Sequence, residues 1–130
     1  MIVDWTAPLL ALADLQRRLE RGPKREGAFA IWLTTRTALD LGTLDGPVDR
    51  TERRRIALLR QRLAPLAVPR PLARGLTGVL SHLEEATPAA ARIALAQLVA
   101  PARDALGPEA GEAVAQAARL LHDHQRGATP

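Results

Sequence analysis

The stretch Glu26–Gly42, EGAFAIWLTTRTALDLG, is apolar on nearly every side of a helical wheel. Ala28, Trp32, Thr35 and Leu39 form one line, Ile31 and Ala38 lie beside it, and Ala30, Leu33 and Leu41 fall on other faces. A helix of that kind needs other helices around it, because no single partner covers all its apolar sides. The segment also holds the single Phe, Phe29, and one of the two Trp. It predicts a central helix near residues 26–42, and the rest of the chain must supply what encloses it.

Proline and glycine divide that remainder into helix-length pieces. Asp4 or Thr6 is placed to cap a first helix to about Arg21, with Pro8 tolerated in its first turn and Leu12, Leu15 and Leu19 on one face. Gly22-Pro23 ends it, and the short turn makes it a neighbour of the central helix. After the loop Leu44–Pro47, Asp49 and Glu52 have capping-box spacing and open a third helix with the stripe Ile56, Leu59, Leu63 and Leu66. Pro65, Pro69 and Pro71 make Ala64–Pro71 a stiff connector. A fourth helix from about Leu72 to Ala86 lines up Leu72, Leu76, Val79 and Leu83. Thr87-Pro88 opens a fifth that Pro101 is expected to kink or split, and Gly107-Pro108 closes it and opens a sixth. No strand-like alternation intervenes. The reading is an all-α, compact bundle of about six short-to-medium helices, one domain over residues 1–124, with 125–130 as a frayed tail.

The apolar share of 47% is mostly Leu and Ala, with aromatics at 2%, so the core is built from small side chains and helices should approach closely. The absence of Cys excludes disulfides and thiolate metal sites. No stretch is long and apolar enough to span a bilayer, and Asp4 stands where a secretory leader would be basic; a cytoplasmic protein without membrane contact is expected.

Catalytic machinery is hard to assemble from this chain. There is no P-loop, dinucleotide glycine fingerprint or nucleophile elbow. With no Tyr or Cys and a single Ser, groups for nucleophilic or acid–base work are scarce. His122 and His124 diverge on a helix, His82 stands alone, and Glu84 and Glu85 point apart, so no metal site, cofactor or catalytic pair is expected. The expectation is a protein that is not an enzyme.

Two binding classes remain. The first is a protein-interaction or self-association module with a protein partner or a second copy: the Ala-rich fifth and sixth helices would make a flat hairpin, and Gly75 and Gly78 a shallow surface for a partner helix. The alternative is nucleic-acid or anion binding. Residues 1–74 carry 14 basic against 8 acidic side chains. If the first and third helices were neighbours, Arg17, Arg18, Arg21, Arg50, Arg53, Arg54 and Arg60 would merge into one face for a phosphate backbone. Arg53 and Arg60 lie on one flank of the third helix's apolar stripe, Arg55 and Arg62 on the other. No helix-turn-helix spacing or aromatic stacking platform supports that alternative. A small ligand near Trp32 is a third possibility. Arg36, between the Trp32 line and Phe29, is expected to be partly covered and paired with Asp40, Asp14 or Glu84, or else to line a pocket for an anion.

Overall fold

The computed structural model describes residues 6–19, 23–44, 49–85 and 87–127. These residues form six helices: α1 (Thr6–Arg18), α2 (Pro23–Gly42), α3 (Arg50–Leu63), α4 (Arg70–Leu83), α5 (Pro88–Leu106) and α6 (Pro108–Gly127). Asp4, Arg21, residues 45–48 of the loop after α2 and the last three residues lie outside the described part.

α2 touches every other helix. The cause is the all-round apolarity of its sequence: Ala28, Ala30, Ile31, Ala38, Leu39 and Leu41 are all buried, and Thr34 and Thr35 are closed in with them. The remaining core comes from one stripe per helix, such as Leu72, Leu76 and Val79 of α4 and Leu95, Leu98 and Ala102 of α5. Small residues let the helices close on one another, as the composition implies. A Cβ built on Gly42, the last residue of α2, would lie 2.6 Å from Leu121 Cδ1 of α6.

Helix starts follow the punctuation. Asp49 caps α3 by accepting from the Glu52 N–H at 3.1 Å, and Thr87 caps α5 through Oγ1 to the Ala90 N–H, also at 3.1 Å. Between α5 and α6 only Gly107 is non-helical; its φ of +99° suits a residue without Cβ, and its N–H donates to Arg103 O at 2.8 Å.

Several boundaries differ from expectation: α1 ends at Arg18 rather than about Arg21, α2 begins at Pro23 rather than near residue 26, and α4 ends at Leu83 rather than about Ala86. α3 stops at Leu63 rather than reaching Leu66, which packs on the core from the connector. The connector is shorter than Ala64–Pro71 because α4 starts at Arg70, with Pro71 in the first turn where no N–H bond is missed. α5 is not split at Pro101: buried Leu95, Leu98 and Ala102 hold it on both sides, and the proline ring lies against Gly75 of α4. At the far end α6 continues past residue 124 to Gly127. There the Gln125 Nε2 donates to Gly42 O at 3.2 Å and Pro88 O at 2.8 Å, tying the last turn of α6 to the end of α2 and the start of α5.

Candidate functional site

The arginines divide into separate groups instead of forming one face. α1 packs on α2 and α6, α3 packs on α2 and α4, and α1 and α3 share no contact among the described residues. The premise of a joint patch on these two helices therefore fails. Wheel positions fix which side of a helix is buried but not which neighbour buries it. On α1, Arg17 and Arg18 both reach Asp14, at 3.2 and 2.9 Å, and Arg18 also bonds Glu109 of α6. The hydrogen bond to Glu109, then that residue's charge, holds the Arg18 guanidinium above its ordinary range. Arg60 of α3 pairs with Glu84 just beyond α4. Arg50, Arg53 and Arg54 are exposed and have no carboxylate partner among the described residues.

A cleft that combines apolar and cationic side chains lies instead between α2 and α3. Its origin is an asymmetry in α2. Phe29, Trp32 and Leu33 are only half-buried and Arg36 is exposed, so the side of the central helix that carries both rings faces outward. α3 covers part of that side, but of its 14 residues it buries Ile56 and Leu59 alone, and Leu58 stays 49% exposed. The result is a cleft of about 430 Å³ with Trp32, Leu33, Leu58 and Leu59 as its apolar surface and Arg36, Arg55 and Arg62 around it.

Each guanidinium is held in place. Arg36 lies over the Trp32 ring, 5.4 Å from its centroid, and Arg62 over Phe29 at 5.8 Å; the two rings stack with centroids 6.3 Å apart. Arg55 donates to Asp40 Oδ2 at 2.6 Å across the two helices. Arg36 is thus neither covered nor paired. The three carboxylates open to it are engaged elsewhere, Asp40 by Arg55, Asp14 by Arg17 and Arg18, and Glu84 by Arg60. Its neighbour is the ring one helical turn before it. Neither Arg36 nor Arg62 has a carboxylate partner among the described residues.

Arg55 and Arg62 are the flank of α3 that meets α2; Arg53 and Arg60 are the other flank, beside Glu84. The seven-residue spacing of Arg55 and Arg62 with Leu58 and Leu59 between them was the available signal. Gly75 and Gly78 differ in what they face. A Cβ on Gly75 would meet Pro101 of α5 within the same chain, while one on Gly78 would find only Gln97 Oε1 at 4.0 Å. His82 contacts Glu85 at 3.2 Å and His122 contacts Arg92 at 3.0 Å. No group of three or more His, Cys, Asp or Glu able to hold a metal occurs among the described residues. No helix formed by those residues is long and apolar enough to cross a membrane.

Fold and site together define an all-α bundle with an open apolar cleft edged by arginines. Comparisons with protein-family models, with curated proteins and with solved structures returned no match.

Proposed function

We propose that the chain is a non-enzymatic protein-interaction module whose α2–α3 cleft docks an acidic amphipathic helix of a partner. The observation that carries this reading is the placement of exposed Leu58 beside half-buried Trp32, between two guanidiniums that lack carboxylates of their own. An apolar side chain of the partner enters between Trp32 and Leu58, and carboxylates a turn away on either side meet Arg36 and Arg62. The stacked rings limit the motion of both arginines, so less freedom is lost on binding than at an ordinary surface arginine. α3 adds a general attraction, with six arginines against a single glutamate.

A second reading, phosphate-backbone binding, rests on the unpaired Arg50, Arg53 and Arg54. It gives no role to Leu58 or Trp32. Two triple variants separate the readings, Arg50/Arg53/Arg54→Glu and the double change Arg36/Arg62→Glu with Leu58→Ala. Binding is measured against a synthetic acidic amphipathic helix and a random-sequence DNA duplex. Docking in the cleft requires the peptide to bind the parent and the first variant, and to lose about 100-fold or more with the second, since hot-spot truncations each cost about 2 kcal/mol. Duplex binding that falls only with the first variant, with no peptide binding by the parent, favours the backbone reading instead.

A further inference from the structure

We propose that the outer face of the α5–α6 hairpin joins a second copy of the chain in a two-fold dimer. This surface is separate from the α2–α3 cleft. It is a groove of about 570 Å³ between the two helices, with Ile93 40% exposed beside Ala96 and Ala118, and with Arg92, His122 and Asp123 at one end.

Charge complementarity identifies the occupant. Arg92 Nη1 lies 3.0 Å from His122 Nδ1. A guanidinium can only donate, so Nδ1 accepts, and Arg92 is left without a carboxylate among the described residues. Asp123, the next residue after that histidine, is exposed and has no cation partner among them either. The face thus carries an unmatched cation and an unmatched anion at the same end of one groove.

The register of the hairpin shows what satisfies both. Arg92 sits level with His122, and the Arg103 side chain sits against Gly111, so the helices run antiparallel and Ala96 is level with Ala118. A two-fold axis parallel to the helices lays α5 of one copy over α6 of the other without changing level. Arg92 of each copy then faces Asp123 of the other, twice, and Ala96 faces Ala118 in the middle, where short side chains allow close approach. One operation satisfies both unmatched charges and closes the assembly. At 1.5 Å per residue the hairpin is about 30 Å long, and two helices side by side are about 20 Å wide, so the total covered area is about 1,200 Å². That is the lower edge of stable interfaces.

Sedimentation equilibrium on the full chain tests this. The parent is expected to be a reversible monomer–dimer system. Arg92→Asp and Asp123→Arg each set like charges across both contacts and weaken association about 100-fold. An equimolar mixture of the two variants restores the parent's mass, because each copy then carries what the other lacks. Ala96→Glu, at an exposed position, also dissociates the dimer while leaving the helical circular dichroism intact. A parent that stays monomeric at millimolar concentration overturns the proposal. So does a dimer that survives Ala96→Glu, or a mixture of folded charge variants that fails to associate.

Discussion

Gly75 of α4 and Pro101 of α5 meet so closely that a Cβ on the glycine would lie 2.6 Å from the Pro101 Cγ. This contact explains two features together: a glycine inside a helix, where it costs about 0.5–1 kcal/mol relative to Ala, and a proline inside another. Gly75→Ala is expected to destabilise by about 1–3 kcal/mol, the usual range for forcing a methyl into a packed interface. Gly78→Ala meets no such obstacle and should stabilise by about 0.5–1 kcal/mol through helix propensity. Urea unfolding of both variants checks the opposite signs; stabilisation at Gly75 would contradict the close α4–α5 approach.

Arg36 gives a sharper contrast with its wheel position. Its neighbour is the Trp32 ring at 5.4 Å and it is exposed, so Arg36→Ala should cost only about 0.5–1 kcal/mol, the range for an exposed cation–π contact. A buried, paired arginine would cost about 3–5 kcal/mol when its partner is left behind. Thermal unfolding separates the two outcomes, and a loss in the upper range would mean that Arg36 is paired after all.

The limits of the sequence follow from the same residues. The central helix was legible because α2 is apolar on nearly all sides, and four of the helix starts or stops were legible because Asp49, the pair Thr87-Pro88, Gly107 and Pro108 each suit one end of a helix. Neighbour relations were not. Leu12 and Leu15 announce a buried face of α1 but do not say that α2 and α6 bury it rather than α3. The cleft was hidden for a related reason. Trp32 and Phe29 read as core residues because large rings bury large areas, yet the side of α2 that carries them is covered only in part, by α3. The Arg36 and Arg62 positions gain meaning only once those rings are known to be half-exposed.

Gln125 joins three helices through a single amide. Gln125→Ala leaves Gly42 O and Pro88 O without this donor and should destabilise by about 1–2 kcal/mol, given the usual worth of a hydrogen bond and the penalty for an unsatisfied acceptor. Hydrogen exchange should show faster opening of the last turns of α6 and little change in α4. Uniform protection along α6 in the variant would mean that the helix end is held by other contacts.

Thr87→Ala removes the side-chain cap of α5 and should cost about 1 kcal/mol, with Thr87→Ser close to neutral because the hydroxyl is kept. Chemical denaturation reads both. Equal losses in the two variants would assign the effect to the methyl group instead.

Docking at the α2–α3 cleft is tested most directly by NMR. The two tryptophans give two indole N–H resonances, and Trp32→Phe identifies which belongs to the cleft. On titration with an acidic amphipathic helical peptide, the Trp32 resonance and the Leu58 methyl signals should shift together and saturate. The same titration of Leu58→Glu should leave the Trp32 resonance in place. Saturable peptide binding that moves neither Trp32 nor Leu58, or that is unchanged by Leu58→Glu, would contradict the account.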